Sequence, residues 1–389
     1  MRLSYIQTIL YFCFRQNNKE KAMAKFTYIL IVTCAFALGG CQSVEELSID
    51  YLVPADVSFP SSLKRVGIVD NMSSAPDNAI IADSTKNPFN KNELARQTKY
   101  FNGNPTTTTE SLAEAVEKEK YFDEVVICDS ALRSNDILPR ESILSKTEVE
   151  YLTKKLDVDF IVSLENIQLS AVRKIHYLPE WGVYQGSVDV KVYPTVRIYL
   201  PNRNGPMVTI HPQDSIFWEK ESRNKEQLPS LLISEKEMIE QASDFAGNVP
   251  VKHFIPYWKT AQRYYLTGNS SLMRDASVYA REKKWDKAIA LWEEAYKQKK
   301  GKQKMFAAYN LALGYEMKDS IDMAEEWALK AQQEAIKIDK IGETYPKELI
   351  VPQIVPNYYA TTSYLKELQE RKDGLMKLNA QMDRFKNDF

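Results

Sequence analysis

The side chains that most often do chemistry are few and widely spaced in this 389-residue chain. Its three histidines, His176, His211 and His253, lie in separate segments, and no two have the i, i+4 spacing of a helical zinc site. The chain contains no C-x-x-C pair, no G-x-S-x-G nucleophile elbow and no G-x-x-x-x-G-K-[ST] phosphate loop. We therefore expect no metal site, no cofactor and no catalytic residue.

Carboxylates and Cys128 offer little further chemistry. Two carboxyl groups held about 5–10 Å apart would suit glycoside hydrolysis, and acid pairs such as Glu293–Glu294 and Glu325–Glu326 are present. Both pairs fall on predicted helix faces, which favours solvated surface, so an envelope hydrolase is the least favoured function. Cys128 follows the apolar residues of the run E-V-V-I-C-D and is predicted to be a small buried hydrophobe.

One cysteine, Cys41, ends a segment with the pattern of a signal peptide. From Met23 the chain reads M-A-K-F-T-Y-I-L-I-V-T-C-A-F-A-L-G-G-C, with a basic start, an apolar stretch and a small-residue end. The ending L-G-G-C resembles the lipobox of bacterial lipoproteins. This resemblance implies that residues 1–40 are a signal peptide, that Met23 is the true start and that the Cys41 thiol carries a covalent lipid. An uncleaved anchor is the alternative.

The same resemblance predicts where the mature protein resides. Residues 41–60 are expected to be a lipidated tether, and Gln42 favours the outer membrane, facing either the periplasm or the cell surface. Removing residues 1–40 takes away five basic residues and one acidic residue, which moves the formal charge from -1 to -5. A mildly acidic protein lacks the electrostatic footprint of a nucleic-acid-binding protein. Cys128 would be the one cysteine left, so no internal disulfide is expected.

A repeat of 36 residues follows Asn269. Small and aromatic residues of the first copy recur in the second, which resembles the tetratricopeptide repeat, a helical hairpin of about 34 residues. The resemblance implies a binding module with close helix packing at the following residues: Ala276, Tyr279, Trp285, Ala288, Trp292 and Ala295 in the first copy, and Ala312, Tyr315, Ala324 and Ala331 in the second. An ordinary helical bundle with this alanine spacing is the alternative.

Flanking helices should cap the two repeats, because such arrays usually need three or more units to bury their apolar faces. We predict one helix over Ile255–Leu266 and a C-terminal capping helix from about Thr361 to Phe385. In the latter, Leu368, Leu375 and Met382 recur every seven residues. Residues 255–389 are therefore predicted to form an all-α, tetratricopeptide-like helical hairpin domain.

Residues 61–247 have the pattern of a mixed α/β sandwich domain. Short β-branched runs, period-2 alternation in Val188–Leu200 and three capping boxes predict the order β-α-β-α-β-β-β-α. The capping boxes, each of which begins a predicted helix, are Ser111–Glu114, Ser145–Glu148 and Ser234–Glu237. Pro194 within the alternating strand indicates an edge or a bulge, and Met72–Thr109 is predicted to be a polar loop. The order resembles the small α/β domain of curli-secretion lipoproteins and TolB N-terminal domains. The predicted fold class is α+β.

The candidate binding residues are aromatic side chains and the first helices of the repeats. Trp181 and Tyr184 lie in the loop P-E-W-G-V-Y-Q-G, and exposed aromatic rings favour binding hot spots and can stack on sugars. Packing within the domain is the alternative reading for this loop. The repeat resemblance implies a concave groove lined by the first helices, around Arg274, Val278, Asn310 and Leu313.

Three functions follow from these patterns. The first is a non-enzymatic protein-binding adaptor in a cell-envelope complex, with the membrane contacted through the lipid anchor. The second is a surface protein that binds a glycan or nutrient, and the third is the envelope hydrolase. The expected partners are an envelope protein and, for the second function, a glycan.

Overall fold

The computed structural model describes residues 44–73, 80–83, 91–128, 130–134, 143–268, 270–342 and 352–385. Strands occupy residues 44–266 and helices dominate residues 271–385, so the predicted α+β class is confirmed. The chain divides into two compact units. Within the described ranges, the sheet unit comprises residues 51–259 and 374–385, and the helical unit comprises residues 44–50 and 260–373. This division differs from the predicted domain bounds of 61–247 and 255–389 at both ends of the chain.

The described residues contain ten strands in two sheets. Their bounds are β1 Val44–Val53, β2 Arg65–Asp70, β3 Ile80–Asp83, β4 Glu93–Asn102, β5 Glu124–Ile127, β6 Phe160–Leu178, β7 Val183–Tyr199, β8 Val208–Ile210, β9 Asp214–Ser222 and β10 Tyr257–Leu266.

Nine α-helices are described in the same ranges, and none of them is both long and apolar enough to cross a membrane. Their bounds are α1 Pro105–Lys118, α2 Lys146–Leu156, α3 Leu228–Leu231, α4 Glu235–Asn248, α5 Ser271–Arg281, α6 Trp285–Gln298, α7 Gly301–Glu316, α8 Ile321–Ile338 and α9 Pro356–Met382, with short 3-10 turns at Lys225–Gln227, Val251–His253 and Asp383–Phe385.

Two long strands, β6 and β7, organise the eight-stranded sheet. They pair antiparallel along their whole length, from Ile161 opposite Tyr199 to Leu178 opposite Val183. On the other side of β6, its first residues pair parallel with β2, which pairs in turn with β5. Further along, β6 pairs antiparallel with β4, and β4 with β3. On the other side of β7, β8 and β9 pair with successive stretches.

Buried valines and more exposed residues alternate along β7 because the two faces of the sheet have different environments. Val188, Val190 and Val192 are fully buried in the main core, which α1 and α4 cover, whereas the residues between them face the other side. Pro194 lies between the stretch paired with β9 and the stretch paired with β8. It thus occupies a local edge, where a strand tolerates a residue without an N–H, in agreement with the prediction.

Helix α2 covers only one end of the second sheet face. It packs on β2 and β6, where Val69, Ile161 and Tyr199 form a small separate core. Its N-cap is the predicted capping box, in which the Ser145 hydroxyl accepts from the Glu148 N–H and the Glu148 carboxylate accepts from the Ser145 N–H. In the described part of the chain, the other end of this face, on β4, β6, β7 and β9, carries exposed side chains such as Tyr100 and Phe217.

The prediction of a polar loop over Met72–Thr109 is wrong in the described part of that segment. β3 and β4 lie there, and α1 begins at Pro105 instead of the predicted Ser111. Asn104 caps α1 by accepting from the N–H groups of Thr106 and Thr107. Threonine is a poor helix former, but here the first turn is stabilised by tertiary contacts, because the Thr108 hydroxyl donates to the Ser243 carbonyl of α4 at 2.8 Å.

The helical unit contains the two predicted hairpins, α5–α6 and α7–α8. The small residues of the repeat lie where the helices approach one another, and Ala276, Ala288, Ala312 and Ala324 are fully buried. At Gly314 a Cβ atom would lie 2.7 Å from Ile289 Cγ1 on α6. Close helix packing thus requires a residue without a side chain at this position.

Two segments around the repeats differ from the prediction. Ile255–Leu266 was expected to be a helix, but Tyr257–Leu266 is a strand that pairs with β1. Ala261, Arg263 and Tyr265 are buried on alternate positions, the period of a strand. Part of the predicted tether, Val44–Val53, is its partner strand, and the C-terminal helix begins at Pro356 rather than Thr361.

Candidate functional site

The part of the second sheet face that α2 leaves open is the candidate site, and we call it the open sheet face. Cross-strand register places Thr98, Val172, Asp189 and Phe217 in one row across β4, β6, β7 and β9. The next row holds the residues two positions further along each strand: Tyr100, Ser170, Lys191 and Ser215. Arg96 and Lys174 lie opposite each other on the other side of the first row.

A cavity of about 690 Å³ lies on the open sheet face. Its volume is within the range of about 300–1,000 Å³ that small-molecule sites occupy. The residues that line it come from four strands: Arg96, Thr98 and Tyr100 of β4, Ser170, Val172 and Lys174 of β6, Asp189, Lys191 and Tyr193 of β7, and Ser215, Ile216 and Phe217 of β9.

Aromatic rings on the open sheet face are unusually exposed. Phe217 retains 64% of its accessible surface and Tyr100 retains 44%, and Tyr193 is half-buried. A water-exposed phenyl ring forgoes the roughly 1.5–3 kcal/mol that burial of such a side chain contributes. The fold gains little from these rings in their present positions, which favours a role in contacting a ligand.

The charges of the cavity are unbalanced. Lys174 Nζ lies 2.8 Å from Asp189 Oδ2, so these two side chains neutralise each other. Within the described residues, Arg96 and Lys191 have no ion-pair or hydrogen-bond partner on their side chains. The hydroxyl groups of Thr98, Ser170 and Ser215 add neutral hydrogen-bonding groups to the lining. The cavity can therefore accept a ligand through rings, hydroxyl groups and two free cations.

The lining offers little for catalysis. It contains one carboxylate, Asp189, which is engaged by Lys174, and no histidine or cysteine. A two-carboxylate hydrolytic site would need a second acid in the same cavity. Across the described part of the chain, no group of three or more His, Cys, Asp or Glu side chains is arranged to hold a metal ion.

A second polar cluster lies at the other end of the sheet unit, next to the core under α2. Glu165 on β6 accepts hydrogen bonds from Asn71 Nδ2 at 2.8 Å and Tyr199 Oη at 3.0 Å, and Arg197 Nη1 lies 3.4 Å away. Burial raises the pKa of the Glu165 carboxyl above its usual value, against the opposing effect of these donors. Burial and the Glu165 charge raise the pKa of Tyr199 to about 12.

The contacts of the Glu165 cluster join neighbouring elements. Arg133 Nε donates to Asn71 Oδ1 at 2.8 Å, and Arg133 Nη1 donates to Glu148 Oε1 on α2 at 3.0 Å. Asn71 in turn follows β2, so the network connects β2, β6, β7 and the first turn of α2. Because Glu165 accepts from three partners, its carboxylate is used in holding the fold. We regard this cluster as structural.

Two predicted aromatic binding residues have different environments. Trp181 lies at the tip of the β6–β7 hairpin and retains 69% of its accessible surface. Tyr184 lies on β7, not in the loop, and packs against Tyr177 with ring centroids 5.0 Å apart. They do not form one exposed platform.

The residues predicted to line a concave groove of the repeats do not share a surface. Arg274 and Val278 are exposed on α5, whereas Asn310 and Leu313 on α7 are fully buried. Asn310 accepts from the Leu266 N–H at 3.0 Å and donates to the Leu266 carbonyl at 2.8 Å. The inner face of α7 is thus covered by β10 of the same unit, and the prediction of a groove open to a partner at these residues is wrong.

The residues predicted to pack the repeats are all in the interior of the helical unit or at its margin. Fully buried side chains are Ala276, Ala288, Trp292, Ala295, Ala312, Ala324 and Ala331. Tyr279, Trp285 and Tyr315 are half-buried and pack against the same core.

The remaining sequence candidates stay apart. His176 Nε2 lies 3.5 Å from Glu93, His211 Nδ1 lies 3.1 Å from the Thr195 hydroxyl, and His253 Nδ1 lies 2.6 Å from Asp56. Cys128 is buried, as a small hydrophobe would be. Cys41, the predicted lipidation site, and the signal peptide lie outside the described residues.

Sequence reasoning missed most of the open sheet face. Its β4 residues lie in the segment predicted to be a loop, and its β9 residues in a strand whose faces were not assigned. One signal was present: in β7 the polar residues Asp189, Lys191 and Tyr193 alternate with buried valines, which indicated a solvent-facing side.

Comparison with known proteins agrees with the division of the fold. Residues 63–266 match a domain of unknown function (DUF8603), and residues 274–370 match a second domain of unknown function (DUF6340). No curated protein and no solved structure matches the chain. The first match covers more than half of the sequence, from before β2 to the end of β10, so the chain belongs to the family defined by the domain of unknown function DUF8603.

Proposed function

We propose that this protein is a non-enzymatic outer-membrane lipoprotein that binds a glycan on its open sheet face. The membrane anchor in this proposal is the lipid on Cys41, which rests on the sequence L-G-G-C. The observation that carries the binding role is the cavity of about 690 Å³ with exposed Tyr100 and Phe217 at its sides.

The chemistry of the cavity suits a sugar better than an apolar ligand. Sugar rings have apolar faces that pack on flat aromatic rings, and hydroxyl groups that need hydrogen-bond partners at their edges. Tyr100, Tyr193 and Phe217 supply the rings, and the hydroxyl groups of Thr98, Ser170 and Ser215 supply the partners. These side chains project from paired strands, so the site is held by a rigid scaffold and binding requires little ordering.

A protein-binding adaptor is the second candidate. The observation that favours it is Trp181, whose ring is 69% exposed at the tip of the β6–β7 hairpin. Tryptophan is enriched at the energetic centre of protein interfaces. If the adaptor function is correct, crosslinking in intact cells should capture one envelope protein, and Trp181→Ala should abolish the capture.

The glycan-binding function is tested with purified protein on an array of neutral and acidic oligosaccharides. We expect saturable binding of at least one glycan, and loss of that binding in the double variant Tyr100→Ala/Phe217→Ala. Tyr151→Ala is the matched control, because Tyr151 is equally exposed in the sheet unit but lies on α2. Binding that survives in the double variant, or is lost equally in the control, would contradict the proposal.

A further inference from the structure

Arg96 and Lys191, which have no ion-pair partner among the residues that the structure describes, define a property of the ligand that the glycan proposal leaves open. The cavity contains three cations, Arg96, Lys174 and Lys191, and one carboxylate, Asp189. The whole chain, in contrast, has a formal charge of -1. The positive balance is therefore local to the cavity.

Other charges on the same face do not neutralise Arg96 and Lys191. Lys174 and Asp189 pair with each other at 2.8 Å. Glu219 of β9 accepts from Gln185 Nε2 at 3.1 Å, and His176 lies beside Glu93 at 3.5 Å. In the described residues, none of these groups forms an ion pair or hydrogen bond with Arg96 or Lys191.

The positions of Arg96 and Lys191 on the sheet determine how far apart two negative groups of a ligand must be to contact both cations. Lys191 lies two strands across from Arg96 and two rows further along the sheet. With strands about 4.8 Å apart and about 3.4 Å per residue, their Cα atoms are about 17 Å apart. The row between them contains Thr98, Val172 and Asp189, and Phe217 ends this row one strand beyond Lys191. A chain of several sugar rings spans this distance, whereas one ring spans it only if both long side chains bend toward it.

We propose that the ligand is an acidic oligosaccharide with uronic-acid carboxylates on separate rings, an inference that rests on the glycan-binding function proposed above. One guanidinium or ammonium group at each position balances the single charge of one carboxylate. The planar guanidinium of Arg96 matches the two oxygens of a carboxylate. The aromatic rings of Tyr100 and Phe217, which lie beside the line that joins the two cations, contact the sugar faces.

The test is calorimetric titration of the full chain with a galacturonic acid hexasaccharide and with its methyl ester, which has the same rings but no charge. We expect the ester to bind at least tenfold more weakly, because it lacks the charge-assisted hydrogen bonds. Added salt should weaken binding of the acid but not of the ester. The galacturonic acid monomer should bind far more weakly than the hexasaccharide, since it contacts one cation.

Substitutions distinguish the contribution of Arg96 and Lys191 to binding from a general effect of the charge of the protein. Arg96→Gln and Lys191→Gln should each weaken binding of the acidic hexasaccharide about tenfold and weaken binding of the ester by a much smaller factor. Lys220→Gln is the control, because Lys220 is exposed on β9 but points to the opposite side of the strand from Phe217.

The outcomes distinguish this inference from the function on which it rests. Equal affinity for acid and ester, or equal affinity for monomer and hexasaccharide, would overturn the acidic oligosaccharide and leave glycan binding intact. Binding of neutral array glycans alone would do the same. If no glycan binds at all, both the inference and the proposed function are wrong.

Discussion

Some charged side chains are buried and paired in the helical unit, whereas two of those on the open sheet face have no described partner. In the helical unit, Arg263 retains only 6% of its accessible surface and forms a bidentate ion pair with Glu316, at 2.9 and 3.0 Å. The Tyr364 hydroxyl donates to the same carboxylate at 2.6 Å, and Arg371 Nη1 lies 3.3 Å from it. On the open sheet face, Arg96 and Lys191 have no such partner among the described residues.

This difference separates charges that hold the fold from charges that are free to bind. A buried ion needs an opposite charge and hydrogen bonds, because its desolvation costs several kcal/mol. Burial by itself would lower the pKa of Arg263, but the hydrogen bond and the charge of Glu316 outweigh it and raise this pKa above its usual value. Burial together with the Glu316 charge raises the pKa of Tyr364. An exposed ion has no such cost, so its partner can be a ligand that arrives later.

The largest expected effect is on the buried ion pair. Glu316→Ala removes the carboxylate that Arg263, Arg371 and Tyr364 share. The buried Arg263 guanidinium then keeps one ion pair, with the partly exposed Glu367 at 2.6 Å. We expect the helical unit to lose about 3–5 kcal/mol of stability. Unfolding in guanidinium chloride, monitored by hydrogen exchange of the backbone amides of α7, would measure the loss in the free energy of unfolding. Glu326→Ala, which breaks only the exposed pair with Lys330, should cost less than about 1 kcal/mol. Equal losses would contradict the comparison.

An effect of similar size, but confined to one strand end, is expected where an amide side chain closes the end of a strand. Asn310→Ala leaves the buried N–H and C=O groups of Leu266 without partners, at a cost of about 1–3 kcal/mol for each group. A similar pair of hydrogen bonds occurs in the sheet unit, where the Gln381 side chain bonds both the N–H and the carbonyl of Ala55 at 3.0 Å. Hydrogen exchange at Leu266 should accelerate in Asn310→Ala and remain unchanged in Gln381→Ala. Unchanged exchange in Asn310→Ala would show that the side chain does not hold β10.

The pH dependence of the sheet unit should follow Glu165. Burial raises the pKa of this carboxyl in the folded protein above the usual 4.5, so the folded state retains a proton that the unfolded chain has lost. Its stabilising contribution is therefore complete below pH 4.5 and is lost as the pH rises through the folded pKa. Glu165→Gln should remove this dependence, which thermal melts of both proteins between pH 4 and 8 would detect. If the melting temperatures of the two proteins changed with pH in the same way, the pH dependence would not come from Glu165.

The smallest expected effect is on the stability of the open sheet face. Arg96→Gln and Lys191→Gln remove no hydrogen bond or ion pair between described side chains and should change the free energy of unfolding by less than about 0.5 kcal/mol. Urea titration of each variant beside the wild type measures this. A loss above 1 kcal/mol in either variant would assign that cation to the fold.

The sequence predicted the periodic parts of the fold and missed those set by tertiary contacts. Ser145 and Glu148 form their capping box, and Val188, Val190 and Val192 are buried, because these patterns act over a few residues. Thr106–Thr109 form a helical turn only because α4 and the Asn104 cap stabilise it.

The candidate site was harder to predict because four separated strands build it. Lys191 could be recognised as solvent-facing from the alternation of β7. Its neighbours Tyr100 and Phe217 come from segments 91 residues and 26 residues away along the chain, and the register that places them nearby depends on β4 and β9 pairing with β6 and β7. Asn310 and Leu313 were assigned to a groove because a repeat array usually leaves that face open, and here β10 covers it.

The most direct test of a binding role for the open sheet face measures stability and binding on the same samples of Phe217→Ala. Because the ring is 64% exposed, we expect the free energy of unfolding to stay within about 0.5 kcal/mol of the wild type. We expect the affinity for the glycan identified on the array to fall by at least tenfold, as for a ring that contacts the ligand. Unchanged affinity, or a loss of stability large enough to explain the loss of binding, would contradict the account.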